Sequence, residues 1–230
     1  MKKRAIILLS GGLDSLTISA IAKNEGYELY GLSFNYGQRH KVELEMAKKI
    51  AKIYNFIDHK IVNIDIDIFK NSALTDKNIA VPKNRDHISN INNIPVTYVQ
   101  ARNIIFLSYA LSYAESNNIN DIFIGVNIVD YSGYPDCRPE FIESFEKTAN
   151  LATASALKKS FKINTPIIKL SKQEIIALGL KFNVDYSNAH SCYDPIHKNG
   201  KYYACGKCDS CILRLEGFSK NNSCDPYLYI

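Results

Sequence analysis

The amino-acid sequence predicts an α/β fold built on a doubly wound parallel sheet. Short apolar runs, typical of strands buried on both faces, alternate with segments whose apolar residues repeat at helical spacing. The first such run leads directly into two glycines, Gly11 and Gly12, and then into a helical pattern. With 230 residues, of which 46% are apolar and 22% charged, the chain can form one sizeable α/β core with an appendage.

The predicted strands and helices alternate along most of the chain. Strands are predicted at residues 4–9, 28–34, 59–64, 121–126 and 163–170, the last as a strand or an extended segment. Helices are predicted at residues 16–22, 42–54, 101–114, 140–157 and 171–180, the last opened by a capping box of Ser171 and Glu174. Residues 67–97 show no sustained period, which is typical of a functional or disordered loop. In such a sheet the segments after the first, second and fourth strands meet at one edge, where ligands bind.

The first of these segments, residues 10–15, predicts an anion site. Two glycines let the backbone turn tightly and approach a ligand, and the first amides of the following helix favour negative charge. We therefore expect a phosphate site made of Leu9, Ser10, Gly11, Gly12, Leu13, Asp14 and Ser15. A carboxylate and a phosphate are both negatively charged, so their close approach is unfavourable unless a cation lies between them. We therefore expect Asp14 to hold Mg²⁺ at this site. The alternative is a glycine turn in which serine and aspartate only cap the helix.

The turn is similar to the SGGxDS signature of ATP pyrophosphatases, which leave an adenylate on their substrate. It differs from the Walker loop because no lysine follows Gly12. The resemblance implies ATP as co-substrate, with Asp14 and Ser15 among the catalytic residues.

Composition and charge are compatible with a small anionic ligand. The net charge of +5 is modest and scattered, which suits a small molecule at least as well as tRNA, so we expect no nucleic-acid partner. No segment approaches the ~18 uninterrupted apolar residues of a membrane span, so we expect a cytoplasmic protein without membrane contact.

Six cysteines in a chain expected to be cytoplasmic favour metal binding or catalysis over disulfides. Four of them follow a C-x12-C-x2-C-x2-C spacing and predict one structural zinc ion, namely Cys192, Cys205, Cys208 and Cys211. An iron–sulfur cluster is the alternative. We expect Cys224 not to be a ligand, and Cys137 stands alone. The prediction divides the chain into a nucleotide domain at 1–182 and a zinc-binding tail at 183–230.

Residues 125–139 combine carboxylate, aromatic and guanidinium side chains. Asp130 or Asp136 could accept two N–H donors from a guanine edge, Tyr131 or Tyr134 could stack on a flat ring, and Arg138 could bind a carboxylate. The alternative is a solvated turn, because these are also turn residues.

Three sequence motifs resemble the 7-cyano-7-deazaguanine synthase family of bacteria and archaea. They are YGQRH at 36–40, GVNIVDYSGYPDCRPEF at 125–141, and SCY followed by CGKCDSC at 191–211. The resemblance implies a Rossmann-like, adenine nucleotide alpha hydrolase-like domain, a four-cysteine zinc tail and a homodimer. It implies an ATP-dependent ligase that converts 7-carboxy-7-deazaguanine and ammonia into a nitrile in queuosine biosynthesis. The family usually has Pro-Gly-Arg-Asn where this chain has Gln100-Ala101-Arg102-Asn103. Arg102 is retained, and we expect it to contact the ATP phosphates as a catalytic residue.

In the YGQRH motif, Gln38 and Arg39 are the better candidates for substrate contacts, whereas His40 could equally be a surface residue or catalytic. Two other adenylating enzymes stay open as alternatives, a tRNA thiolase and a synthetase-type amidase. The amidase would use free ammonia, because no segment of the sequence resembles a glutaminase. A non-enzymatic zinc ribbon would leave residues 10–15 unexplained. Conversion of a carboxylate into a nitrile removes two oxygen atoms, and neither is a leaving group without activation. If each is activated by one adenylation, two ATP are consumed per nitrile.

Overall fold

The computed structural model describes residues 2–39, 42–85, 94–129 and 133–230. Its main sheet has five parallel strands in the order β3-β2-β1-β4-β5. The strands are β1 (Arg4–Leu8), β2 (Glu28–Asn35), β3 (Asp58–Asn63), β4 (Asp121–Phe123) and β5 (Lys162–Asn164). The strand order reverses between β1 and β4, so a crevice opens beyond the carboxyl ends of these two strands.

Helices cover both faces of this sheet. They are α1 (Leu13–Asn24), α2 (Val42–Ile53), α3 (Arg102–Ser116), α4 (Pro139–Ala152), α5 (Lys172–Lys181) and α6 (Asp209–Lys220). A short antiparallel hairpin, β6 (Ile196–Lys198) and β7 (Lys201–Tyr203), lies in the C-terminal region.

Alternate residues of β1 belong to two separate hydrophobic cores. Ala5 and Ile7 pack in one core with side chains from α1, α2, α5 and α6. Ile6 and Leu8 pack in the other core with α3 and α4. The strand is therefore buried on both faces, which confirms the predicted doubly wound parallel sheet.

Several element boundaries differ from the sequence prediction. The helix α1 already begins at Leu13, and β4 ends at Phe123 rather than at residue 126. The fifth strand ends at Asn164, before Pro166, because proline cannot donate to the sheet. The helix expected to reach residue 157 ends at Ala152, and a separate 3₁₀ turn, Ser155–Leu157, follows. The helix α6 in the cysteine-rich tail was not predicted.

The C-terminal tail packs on the sheet domain through α5 and α6. A side chain at Gly217 of α6 would lie 2.7 Å from Cδ1 of Ile176 in α5, so glycine permits the close approach. Phe218 belongs to the same core as β1. The division at 182 stays a prediction. In the described part of the chain, every helix is too short or too polar to cross a bilayer.

Candidate active site

A cavity of about 220 Å³ opens at the crevice between β1 and β4. Its walls come from the segments after β1, β2 and β4, the first turns of α2, α3 and α5, and the C-terminal tail. Of the residues predicted to bind ATP, those lining the cavity are Leu9, Ser10, Gly12, Leu13, Asp14, Ser15 and Arg102. The topology therefore brings Arg102 to the loop after β1, as expected for parallel strands.

The loop after β1 is closed by its own hydroxyl groups. Ser15 Oγ donates to the carbonyl oxygen of Gly12 (3.0 Å) and accepts from the amide of Gly11 (3.1 Å). Ser10 Oγ accepts from the amide of Gly12 (3.2 Å). Gly11 has φ +90°, and any side chain there would overlap the main-chain carbonyl of Glu43 in α2. The first amides of α1 have no partner within the helix, so this loop has the form of an anion site.

A lysine contacts the carboxylate that was expected to hold Mg²⁺. Nζ of Lys172 lies 2.6 Å from Oδ1 of Asp14, and the two side chains are 8% and 25% exposed. Lys172 is the first residue of α5, a position set by the predicted capping box: Ser171 Oγ accepts from the Glu174 amide (3.3 Å), and Glu174 Oε2 accepts from the Ser171 amide (2.7 Å). The capping box predicted where the helix begins, but gave no signal that Lys172 faces the site.

Arg102 begins α3 on the opposite side of the loop. Its Nη1 lies 3.4 Å from the hydroxyl oxygen of Tyr36, to which it donates, and its guanidinium lies over the ring of Phe106. Burial raises the pKa of Tyr36, which keeps the phenol neutral, while Arg102 opposes this rise. The preceding residue, Ala101, has φ 52° and ψ 20°, the left-handed region that favours glycine. This backbone would suit the glycine that the resembled family usually has at position 101.

The cavity contains two of the residues predicted to contact substrate, Gln38 and Tyr134. The Gln38 amide also holds its own turn, because Nε2 donates to the Phe34 carbonyl (3.0 Å) and Oε1 accepts from the Tyr36 amide (3.0 Å). The Tyr134 hydroxyl is 2.7 Å from Oγ1 of Thr97. Both residues are buried at the cavity wall.

Three other predicted substrate residues lie elsewhere among the described residues. Arg39 donates to the carbonyl oxygens of residues 76 and 79 (2.6 and 2.7 Å), so its guanidinium fixes that loop. Asp136 is buried, and its Oδ2 accepts from the amide of Asn103 (2.9 Å), which caps α3. Arg138 is exposed at the N-terminus of α4. Asp130, Tyr131 and His40 fall outside the described residues, and the substrate contacts of all these residues stay predictions.

Cys137 also lines the cavity, with its thiol buried. It is buried, and Asn103 Nδ2 lies 3.3 Å from its sulfur. Burial, followed by the charge of Asp136, raises the pKa of Cys137 to about 12. Since the thiolate is the nucleophilic form, this cysteine is poorly suited to carry or transfer sulfur at neutral pH.

The four cysteines predicted to bind zinc come together in the tail. The sulfur atoms of Cys192, Cys205, Cys208 and Cys211 all lie within 4.8 Å of one another, and all four residues are buried. Four converging thiols fit the closed tetrahedral shell of a structural metal ion. Cys224 is exposed and outside this cluster, as expected.

The cysteine cluster is joined both to the cavity and to residues 83–85. His190, Ser191 and Tyr193, which flank Cys192, line the cavity. Residues 83–85 contact the tail through a Lys83–Asp194 ion pair (2.7 Å), a bond from the amide of residue 84 to the carbonyl of residue 207 (2.8 Å), and an Arg85–Asp209 ion pair. The tail therefore forms one wall of the cavity.

Comparisons with known proteins agree with this arrangement. A curated 7-cyano-7-deazaguanine synthase from Syntrophus aciditrophicus is 55% identical over 98% of this chain and 96% of its own length. The protein of the same name from Desulfatibacillum aliphaticivorans is 52% identical, covering 100% of this chain and 97% of the relative.

Solved structures support the fold alone, because their sequence identities are low. A 4-thiouridine synthetase, solved as an RNA complex with bound ATP, is 20% identical with a TM-score of 0.51, covering 81% of this chain and 42% of that one. A predicted subunit of tRNA methyltransferase from Methanocaldococcus jannaschii is 16% identical with a TM-score of 0.50, covering 99% and 92%.

The family model described as queuosine biosynthesis protein QueC matches residues 4–222. This range contains the loop after β1, the cavity and all four clustered cysteines. The chain belongs to the queuosine biosynthesis protein QueC family.

Proposed function

We propose that this protein is a 7-cyano-7-deazaguanine synthase, an ATP-dependent ligase that converts 7-carboxy-7-deazaguanine and ammonia into the nitrile for queuosine biosynthesis. The observation that carries the proposal is the full-length similarity, at 52–55% identity, to curated proteins of that name. The cavity supports it, because one space combines a phosphate loop with buried polar and aromatic side chains.

The residues around the loop suit the phosphates of ATP. The first amides of α1 and the hydroxyls of Ser10 and Ser15 would bind phosphate oxygens. Lys172 and Arg102 supply positive charge from two sides, which would stabilise the charge that develops as pyrophosphate leaves. Mg²⁺ would add Lewis-acid character at the phosphates. Asp14 fits a place beside such a cation, provided that Lys172 shifts from it toward ATP.

The chemistry needs no covalent enzyme intermediate. Removing two oxygens from a carboxylate requires two activations, each by transfer of adenylate and release of pyrophosphate. Ammonia displaces the first AMP to give a primary amide, and loss of the second AMP from the adenylated amide gives the nitrile. The protein would then orient the reactants and stabilise charge at one centre that is used twice.

The four clustered cysteines would hold one zinc ion. A closed shell of four thiolates leaves no open position, so we propose a structural role for the ion in the tail. Substitution of Cys224 is the control for substitutions of the four clustered cysteines, because Cys224 is exposed and lies outside the cluster.

Between the two carboxylates that could read the guanine edge, we favour Asp130. The side chain of Asp136 already accepts the amide of Asn103, and Asp136 is not among the described residues lining the cavity. A site that accepts hydrogen bonds from N–H groups discriminates strongly against a substrate analogue without those groups. The discrimination is far stronger than a hydrophobic pocket shows against an analogue that lacks one methylene group. An enzyme that accepts a substrate without the 2-amino group equally well would have no such reader.

The buried state of Cys137 favours the ligase over a sulfur-transferring enzyme. A thiolase needs a reactive sulfur carrier near ATP, whereas burial raises the pKa of this cavity thiol to about 12. A synthetase-type amidase remains the second candidate, and it would stop at the primary amide.

The deciding experiment combines the protein with ATP, Mg²⁺, ammonium and 7-carboxy-7-deazaguanine labelled with ¹⁸O in its carboxylate. We expect the nitrile by mass spectrometry, with two AMP and two pyrophosphate per nitrile and one label in each AMP. Accumulation of the amide alone would indicate an amidase. Label released as water, or ADP as the product, would contradict the adenylation mechanism.

The Asp14→Asn variant tests the phosphate site directly. It should retain the fold and lose turnover by ~10²-fold or more, because the carboxylate organises the cation beside ATP. Unchanged turnover at limiting Mg²⁺ would exclude this role. We further propose a homodimer acting in the cytoplasm on small molecules, without nucleic acid, which size-exclusion chromatography and cell fractionation would test.

A further inference from the structure

The loop after β1 contains one peptide unit that can rotate more easily than its neighbours. It joins Gly11 to Gly12, and neither residue has a Cβ atom to restrict the backbone. A half-turn of this peptide would exchange the directions of its carbonyl and its amide. The carbonyl oxygen would then lie beside Ser10 at the cavity wall, where its partial negative charge would repel a phosphate.

Two hydrogen bonds hold this peptide in its observed orientation. The amide of Gly12 donates to Oγ of Ser10 (3.2 Å), which is a contact within the loop. The carbonyl oxygen of Gly11 accepts from the amide of His190 (2.9 Å), which belongs to the C-terminal tail. The orientation of the peptide therefore depends on where the tail places the backbone of residue 190.

The side chain of Arg214 in α6 holds the tail backbone around residue 190. Its Nη2 donates to the carbonyl oxygen of Tyr186 (2.8 Å), and its Nη1 donates to that of Ala189 (2.7 Å). Nη1 also lies 3.4 Å from Oγ of Ser191, to which it donates. One planar guanidinium thus contacts the residues on both sides of His190.

The carboxylate of Asp225 orients this guanidinium. Its Oδ2 accepts from Nε of Arg214 (2.7 Å) and its Oδ1 accepts from Nη2 (2.8 Å), and both side chains are 2% exposed. A bidentate pair of this kind is strong and fixes the plane of the guanidinium. Each N–H group of Arg214 thus has an acceptor within the protein, although Arg214 also lines the cavity. The contacts therefore favour a positioning role for Arg214 over direct contact with ATP.

Given the proposed function, on which this step rests, we propose that Arg214 and Asp225 are positioning residues of the ATP site. Asp225 orients Arg214, which fixes the backbone on both sides of residue 190. The His190 amide then keeps the carbonyl oxygen of Gly11 turned away from the phosphates, while the first amides of α1 face them. Because the loop binds ATP both before and during the reaction, these residues should affect the affinity for ATP more than the chemical step.

The test measures ATP binding and steady-state kinetics in the Arg214→Lys variant. Lysine keeps a positive charge beside Asp225, so the buried carboxylate stays paired. An ammonium group lacks the planar fork that reaches a carboxylate and two carbonyl oxygens together. The KM for ATP, and the dissociation constant of ATP in titration calorimetry, should therefore rise about tenfold. Turnover at saturating ATP and the KM for 7-carboxy-7-deazaguanine should stay within about threefold of the wild type.

Asp225→Asn is the second variant, because asparagine keeps the shape of the carboxylate but loses its charge. It should also raise the KM for ATP, since the guanidinium is then held less firmly. Glu216→Gln is the matched control in the same helix. It removes an exposed ion pair with Lys220 (3.7 Å) and should leave the KM for ATP unchanged.

Urea unfolding of the same variants distinguishes positioning from an effect on stability alone. A purely structural role would lower the unfolding midpoint and the active fraction, but it would leave the KM for ATP of the folded protein unchanged. That result, or a rise in KM confined to 7-carboxy-7-deazaguanine, would overturn the positioning role and leave the proposed function intact. Loss of folded protein in both variants would also overturn it, because the pair would then act on the fold as a whole. A wild-type protein that binds ATP but forms no nitrile would instead overturn the proposed function.

Discussion

Replacing Ala101 with glycine should stabilise the protein, because the backbone at the start of α3 suits glycine. Ala101 precedes Arg102 and has φ 52° and ψ 20°. In this left-handed region the Cβ atom lies too close to the neighbouring carbonyl oxygen, at a cost of roughly 1–2 kcal/mol. The main-chain bonds at this residue do not depend on its side chain: its amide donates to the hydroxyl of Tyr98 (3.1 Å), and its carbonyl accepts from the amide of Ile105 (3.2 Å).

The expected gain is smaller than the strain that is removed. Glycine has more conformational freedom in the unfolded chain, which offsets roughly 0.5–1 kcal/mol. The net increase in the free energy of unfolding should be about 0.5–1 kcal/mol. For a chain of this length, that corresponds to an increase in Tm of about 1–4 °C.

Urea unfolding of Ala101→Gly and of the wild-type protein would measure this gain as a shift in midpoint at constant slope. Ala152→Gly is the matched control: Ala152 is exposed and ends α4 with an ordinary right-handed backbone, so glycine there should give no gain. Equal or lower stability of Ala101→Gly would refute the assignment of strain to this residue.

Three further predictions concern the site and the tail. In steady-state kinetics, Lys172→Met should raise KM for ATP and lower turnover by about 10²-fold. Lys169→Met, a change at an exposed residue three positions earlier, should leave both values unchanged. Because burial raises the pKa of Glu43 to about 8, its protonated form stabilises the fold at pH 5, and this contribution is lost as the pH rises through 8. Wild-type stability in urea should therefore fall relative to Glu43→Gln by on the order of 2–4 kcal/mol between pH 5 and 9, and a constant difference would contradict the shifted pKa. Metal analysis should give about one zinc per chain, unchanged in Cys224→Ser, and iron with visible absorbance would contradict the zinc site.

The parts of the site that local sequence could predict are those in which neighbouring residues form the structure. The loop after β1 follows from an apolar run and two adjacent glycines, and the cysteine cluster follows from its spacing. Lys172 is 158 residues from Asp14, and their contact depends on how α1 and α5 pack on the sheet. The sequence therefore predicted where α5 begins, but it did not predict that Lys172 in this helix contacts Asp14.

Polar residue types alone did not distinguish contacts to ligand from contacts to the protein's own backbone. Arg39 and Asp136 both satisfy main-chain groups, a role that has no distinct signature in the sequence. Similarly, no helix was predicted at α6, where an interior glycine, Gly217, lowers the helical propensity. Close packing against α5 favours glycine at this position, and only the tertiary structure reveals that packing.

The attachment of the cysteine-rich tail to the cavity has a thermodynamic consequence. His190 and Ser191 border the cavity next to Cys192, and residues 83–85 are held to the same tail by ion pairs. If metal binding orders this wall and ligands bind the ordered wall more tightly, the two equilibria are linked, and linkage is reciprocal. Saturating ATP and substrate would then raise the affinity of the cysteine cluster for its metal ion, so the chelator concentration that removes half of the metal would report on occupancy of the cavity.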